Sequence, residues 1–417
     1  VLPSSLLLLF YLSAAATALL AAWLLYRFAQ ERRYRRQAYV APAEAGWEAR
    51  QPDPTAPLRH RLALVGDLGA VATDGSDPVL NLLQAWLREA GPESTVVVLG
   101  DNVYPTGLPA PEHAGRASAE RRLNVQLDAL RAYPGRVVFL SGNHDWNKGR
   151  ADGYEYLLRQ EAYVHAHLPA AHYLPPQGTP GPATVQLAEN LLLVVLNTQW
   201  WVQHGPRPLG AAGSPAAASR AAFEELRAIL SQNRHQQVVV AGHHPLYSNA
   251  LHGGKFTAKQ HVFPLTAVHK KAYLPLPVLG SFFPLYRKLV GAEEDMAHPR
   301  YRKMRRRLLR VLHQFPGVIY AAGHDHNLQY FPARGGHYLV SGAGSKTAFV
   351  QPGGKAGFTH EHKGFFSLDF YQNGEAWLRT LEPTPAASPE PAREAFRKLL
   401  LPATAGLAAS APAGSAE

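Results

Sequence analysis

Val96-Val97-Val98-Leu99-Gly100-Asp101-Asn102-Val103-Tyr104 is an apolar, β-branched run that stops at a glycine and is followed by a carboxylate, an amide and a phenol. The run reads as a buried strand, and in open α/β sheets ligands sit beyond the carboxyl ends of the strands. Asp101 is thereby delivered to the rim of a site. A glycine and an aspartate after a strand also make an ordinary turn, so this stretch alone decides nothing. The chain repeats the device in Leu64-Val65-Gly66-Asp67, Leu140-Ser141-Gly142-Asn143-His144-Asp145, Val240-Ala241-Gly242-His243-His244-Pro245 and Ala322-Gly323-His324-Asp325-His326. Strand ends of this kind, converging, would gather Asp67, Asp101, Asn143, His243, His324 and His326. The set mixes oxygen and imidazole donors in a chain without cysteine, which suits Fe, Mn or Zn. One carboxylate shared between two ions makes a two-metal hydrolytic site.

Composition sets the bounds around that site. The 417 residues are 46% hydrophobic, enough for one large α/β domain or two ordinary ones. The formal net charge of +11 and pI near 9.7 suit anionic substrates or membrane surfaces. Absence of cysteine excludes disulfides and thiolate chemistry.

In order and spacing, the motifs resemble the calcineurin-like binuclear metallophosphoesterase superfamily, and within it the purple (tartrate-resistant) acid phosphatases. The general superfamily pattern opens with Asp-x-His, whereas this chain has Asp67-Leu68-Gly69. The purple branch replaces the lost histidine by a tyrosine three residues after the bridging aspartate, where Tyr104 stands. The resemblance spans roughly Arg61 to Glu382. It implies a four-layer α/β/β/α sandwich of two mixed sheets and two metal ions, Fe(III) plus a divalent Fe, Zn or Mn. Metal one falls to Asp67, Asp101, Tyr104 and His326, and metal two to Asp101, Asn143, His243 and His324. His244 rivals His243, but adjacent residues at a strand end diverge and the resemblance favours His243. His144 and His252 would face the phosphate and the leaving oxygen, with Asp145 orienting the His144 imidazole.

The ends lie outside the resemblance. Residues 2–26 carry no charge and are long enough to cross a bilayer, giving an N-terminal transmembrane helix. A signal peptide is the competitor, with Ala14-Ala15-Ala16 mimicking a cleavage site. Residues 27–60 read as a basic juxtamembrane segment and linker, and 383–417 as a Pro/Ala-rich, largely disordered tail. The arginines after the apolar run place the domain in the cytoplasm by the positive-inside rule, whereas the resemblance implies export.

Within the domain, Pro78–Ala90, Arg116–Tyr133, Ser214–Asn233 and Arg300–Phe315 are predicted helices. Trp200 and Trp201 read as core or rim packing rather than a substrate platform. The 256–299 insertion contains an apolar stretch, 272–290, that is either a flap on the domain or an interfacial segment with Lys270, Lys271, Arg287 and Lys288 at headgroups. The basic residues of Arg300–Arg310 read as a solvated or lipid-facing surface, without the aromatic interleaving of a nucleic-acid stripe. Leu339–Lys346 lacks the spacing and following helix of a phosphate loop. The function expected is a membrane-anchored phosphatase that hydrolyses phosphate monoesters of small molecules by attack of a metal-bound hydroxide. A phosphodiesterase or pyrophosphohydrolase acting on nucleotide or lipid-linked phosphate is the alternative, and a membrane-tethered binding module the non-enzyme one.

Overall fold

The structure, a computed structural model, describes residues 3–267, 269, 271–276, 279–385, 388 and 390–403. Its strands are β1 (Tyr39–Val40), β2 (Leu58–Val65), β3 (Ser94–Val98), β4 (Arg136–Phe139), β5 (His172–Tyr173), β6 (Ala183–Ala188), β7 (Leu191–Val195) and β8 (Gln237–Ala241), followed by β9 (Ile319–Ala322), β10 (Leu328–Ala333), β11 (Gly336–Ser341), β12 (Phe358–His360), β13 (Phe365–Tyr371), β14 (Ala376–Pro383) and β15 (Ala392–Leu401). The helices are α1 (Ser4–Tyr34), α2 (Pro78–Ala90), α3 (Arg116–Leu130), α4 (Gly153–His167), α5 (Gln199–Val202), α6 (Pro215–Gln232), α7 (Ala258–Val262), α8 (Phe282–Leu289) and α9 (Pro299–Leu312).

Two sheets form, in the orders β15-β14-β13-β2-β3-β4-β5 and β1-β12-β10-β11-β9-β8-β7-β6. Both are mixed. β2 to β5 run parallel and meet antiparallel β13; β7, β8, β9 and β11 run parallel between antiparallel neighbours. Side chains alternate across each strand, which explains why the parallel ones read as continuous apolar runs. Val96 and Val98 pack with α2 and α3, whereas Val97 and Leu99 pack against the second sheet. In β8, Val239 and Ala241 join that same inter-sheet core, while Val238 and Val240 pack with Leu226 of α6 and Leu308 of α9. Three apolar cores between four layers give the α/β/β/α sandwich expected, with each buried Val or Leu contributing about 1.5–3 kcal/mol.

Local signals start the helices where predicted. Asp77 caps α2 by accepting from the amides of Val79 and Leu80, with Pro78 in the first turn. Ser214 caps α6 through the Ala217 amide. α9 buries Tyr301, Met304, Leu308 and Val311, but its basic face is not simply solvated. Arg300 donates to the Gln203 carbonyl, Arg305 to that of Leu246, and Arg307 lies 4.3 Å over the Phe223 ring. Trp200 is buried in the core, its indole donating to the Pro208 carbonyl.

Four segments differ from the sequence reading. The N-terminal helix does not stop at Tyr26: α1 runs to Tyr34, and Leu7–Tyr34 is long and apolar enough to span a bilayer. Residues 27–60 are not a free linker, because β1 pairs with β12, Glu44 is buried against Lys398 at 2.7 Å, and Trp47 packs on Phe396. In the 383–417 segment, β15 is an ordered strand paired along all of β14, and Phe396 is fully buried in the inter-sheet core. Lys270 and the residues beyond 403 lie outside the described residues. The 256–299 insertion folds into short helices and turns, and Arg287 points inward to Asp295 rather than out to headgroups.

Candidate metal centre

The carboxyl ends of β2, β3 and β4 face those of β8 and β9 at one edge of the inter-sheet core, so all the strand-end motifs open at one place. The backbones approach so closely there that side chains are excluded. A Cβ on Gly142 would lie 2.2 Å from Asp101 Oδ1, and one on Gly323 would lie 2.5 Å from Asp67 Oδ2. Three of the residues carrying the donors are bent into the left-handed region: Asp67 at φ 62°, Asp101 at φ 54° and His324 at φ 71°. Such backbone costs on the order of 1 kcal/mol or more per residue and collects at functional sites. Asp67 also ties the sheets together, its Oδ2 accepting from the His324 amide at 2.8 Å.

The donors fall into two groups on either side of Asp101. On one side the Tyr104 hydroxyl lies 2.8 Å from Asp67 Oδ1, 3.1 Å from Asp101 Oδ2 and 2.9 Å from His326 Nε2. On the other, Asn143 Oδ1 lies 3.0 Å from His243 Nε2 and 3.1 Å from His324 Nδ1, and Asp101 Oδ1 is 3.5 Å from His243 Nε2. Asp101, His243 and His324 converge closely enough to hold one cation between them. His244 stays out of both groups: it is buried on the Thr198 hydroxyl, 2.8 Å away.

Hydrogen bonds outside these groups orient the donors. His243 Nδ1 donates to the Leu99 carbonyl at 2.8 Å, and His324 Nε2 to the Glu294 carbonyl at 2.9 Å. Each imidazole therefore turns the lone pair of its other nitrogen into the cluster. The Asn143 amide nitrogen donates to Glu294 Oε1 at 3.2 Å, which directs its oxygen inward. Burial opposes ionisation of Asp101, but His243 and His144 outweigh it and hold the carboxyl at about 2. Burial and the Asp101 and Asp67 charges push the Tyr104 phenol well above its ordinary value, so it stays protonated unless a strong Lewis acid displaces the proton. An oxygen-rich, phenolic group beside an amide and imidazole group fits two ions of different hardness.

The histidines expected to face phosphate, His144 and His252, are half-buried beside these groups. His144 Nδ1 bonds the Pro105 carbonyl at 2.5 Å, leaving Nε2 on the Asp101 side, 3.8 Å from Oδ2. Asp145 does not orient it. Its carboxylate accepts from the amides of Gly142 (2.8 Å), Asp101 (2.9 Å) and Asn102 (2.9 Å). The left-handed turn at Asp101 leaves those amides without strand partners, and Asp145 supplies the acceptor. His252 Nδ1 bonds Asp295 Oδ1 at 3.0 Å, and its ring lies 4.3 Å from that of His324. Burial opposes protonation of His252, but Asp295 and Asp325 outweigh it and raise its affinity for a proton. Asp325 anchors the same loop, accepting from the Ser248 hydroxyl at 2.5 Å.

Several contributors escaped the sequence reading. Glu294 and Asp295 come from the insertion; Glu293-Glu294-Asp295 is its only acidic run between Phe256 and Pro299, a signal available in the sequence. Arg287 pairs with Asp295 behind His252. Lys346 places its ammonium 3.5 Å from the Tyr104 ring centre, and the Ser341-Gly342-Ala343-Gly344-Ser345-Lys346 stretch that carries it packs Gly342 against Asp67.

Among solved structures, GAP50, "the anchor in the inner membrane complex of Plasmodium", shares 15% identity over 82% of this chain and 90% of its own, with a TM-score of 0.49. The purple acid phosphatase PPD1 from yellow lupin (Lupinus luteus) seeds shares 16% over 83% of this chain, with a TM-score of 0.50, and this chain spans 55% of its length. PhoD shares 13% over 83% of this chain and 70% of its own, with a TM-score of 0.45. At these identities the lupin likeness speaks to the fold alone. No curated protein matches the chain. The family model of calcineurin-like phosphoesterases matches residues 60–328, which runs from β2 through the last donor histidine to the start of β10. A match over more than half of the sequence, on the stretch that carries every donor described above, makes this chain a member of the calcineurin-like phosphoesterase family.

Proposed function

We propose that this phosphoesterase is a membrane-anchored phosphatase that hydrolyses phosphate monoesters of small molecules at a pair of metal ions. The observation that carries the reading is Asp101, whose two oxygens face two separate donor groups. Asp67, Tyr104 and His326 would hold one ion with Asp101, and Asn143, His243 and His324 the other. The phenolic, anionic group suits Fe(III), and the amide and imidazole group suits divalent Fe, Zn or Mn. Such a pair, when bound, supplies charge neutralisation at the phosphoryl oxygens and activation of water.

The chain's own groups do the rest. His144, fixed through Nδ1 on Pro105, offers Nε2 to the departing oxygen and delivers its proton there. His252, held by Asp295, presents Nε2 as a donor to a phosphoryl oxygen. The Lys346 ammonium adds positive charge on the Tyr104 side. α1 spans the bilayer, with the exposed face of α8 resting on its surface. The arginines after its apolar run favour the cytoplasmic side. The exposed Phe282, Leu285 and Leu289 of α8 favour a second reading, hydrolysis of a lipid-linked phosphodiester or pyrophosphate.

The test is metal analysis and visible absorption on the full chain in detergent, followed by turnover of aryl phosphate mono- and diesters. Two metals per chain, a broad phenolate-to-iron band and preference for the monoester are expected. A colourless protein with two ions and diester preference would replace the first reading by the second. Tyr104→Phe is expected to remove the band while the protein keeps hydrolysing; an unchanged spectrum excludes Tyr104 as a ligand.

A further inference from the structure

α1 does not stand apart from the domain. Its Arg27 donates to the Phe256 carbonyl at 3.3 Å, and its Glu31 accepts from the Ala258 amide at 2.8 Å. Between α1 and α8 these contacts leave a cavity of about 460 Å³. Trp23, Phe256 and Leu285 form apolar wall, and Arg27, Lys255 and Lys288 supply cations; among the described residues no carboxylate lines it. Arg27 is partly engaged by Glu31, 3.6 Å away. A second cavity of about 410 Å³ adjoins the first through Gly254, Lys255 and Lys288 and adds Arg305 and Lys355, again with no carboxylate among the described residues. α8 leaves Phe282, Leu285, Tyr286 and Leu289 exposed, positions spaced as one helical face.

Height along α1 says what reaches this cavity. The helix is apolar through Tyr26 and turns basic at Arg27, and an amphipathic Trp23 sits one turn before that change. Tryptophan, then arginine, at the end of a span of about 20 apolar residues marks the headgroup level of a bilayer. A cavity at that level, lined by both apolar and cationic side chains, matches an amphiphile with an anionic head.

We infer that the α1–α8 cavity is a binding seat for an anionic phospholipid of the bilayer that α1 spans, its phosphate held by Lys255, Lys288 and Arg27 and its glycerol and acyl region laid against Trp23, Phe256 and Leu285. The seat rests on α1 spanning the bilayer as proposed above, and is separate from the metal centre.

The full chain reconstituted in phosphatidylcholine vesicles tests this, with brominated phosphatidylglycerol or brominated phosphatidylcholine as quencher of tryptophan fluorescence. The brominated anionic lipid is expected to quench at several-fold lower mole fraction than its zwitterionic counterpart, and Trp23→Phe to abolish that difference. Each of Lys255→Gln and Lys288→Gln is expected to weaken the preference by roughly fivefold, while hydrolysis of a soluble aryl phosphate stays unchanged and reports an intact fold. Equal quenching by both lipids, or an undiminished preference in the double variant, overturns the seat. Displacement by millimolar inorganic phosphate or glycerol phosphate also overturns it, in favour of a soluble-anion site. Release of the chain from vesicles by alkaline carbonate overturns the spanning reading and the seat with it, whereas firm retention without anionic preference overturns the seat alone.

Discussion

At Asp295 one carboxylate joins the insertion to His252, the histidine proposed to face phosphate. It is buried, accepts from His252 Nδ1 at 3.0 Å and pairs with Arg287. Asp295→Asn keeps the shape and removes the charge, so His252 loses its orientation while the donor groups are untouched. The expected result is two metals per chain with kcat/KM down about 10- to 100-fold; full activity would show that His252 does not act through Asp295. Gly142→Ala is the opposite case. Its new Cβ would fall 2.2 Å from Asp101 Oδ1, so metal content and turnover should both collapse for a stability loss of only about 1–3 kcal/mol. Retained metal in the folded variant would contradict a bridging Asp101. Both residues differ in legibility: Gly142 sits inside a strand-end motif that a reader of sequence can recognise, whereas Asp295 lies 43 residues from the histidine it holds.

Elements were legible where their signal was local. A parallel strand, its terminal glycine and its donor occupy a handful of consecutive residues, and β2, β3, β4, β8 and β9 carry that whole message. α6 announced its cap in Ser214, and α2 showed itself by its apolar stripe, with Asp77 capping it in the fold. β1 and β15 did not, because an edge strand is stabilised by pairing with a distant partner and carries mixed composition. Arg393, Glu394, Arg397 and Lys398 hide the Phe396 side chain that makes β15 part of the core. Phe396→Ala should therefore cost about 3–5 kcal/mol, read as a drop in denaturant midpoint. A change under about 1 kcal/mol would be the behaviour of a disordered tail. The insertion failed differently: its apolar stretch was visible, but the Asn143–Glu294 contact spans 151 residues and no local pattern encodes it.

For the molecule as a whole, buried His60 and half-buried His337, both neutral and away from the metal centre, set an acid limit. Burial, with Arg136 and Arg59 nearby, pulls His60 down to about 4, and burial pulls His337 to about 4 as well. The unfolded chain binds those protons near pH 6.5 and the folded one only near 4, so stability is full above 6.5 and falls as pH drops through that window. At pH 5 the loss is on the order of 2 kcal/mol from each. Melting temperature should fall between pH 7 and pH 5, and His60→Gln should flatten that slope; a Tm constant over the window would refute the account. The same wholeness governs placement. Only four residues separate the end of α1 from β1, which is already stitched into the second sheet, and Arg35 pairs with Glu361 at 3.3 Å beside that joint. Four residues extend at most about 14 Å. With α1 in a bilayer as proposed, a body on so short a leash would sweep little search volume: its working distance from the bilayer would be built in, and it would sample only the thin shell of solution and lipid that drifts past a fixed aperture.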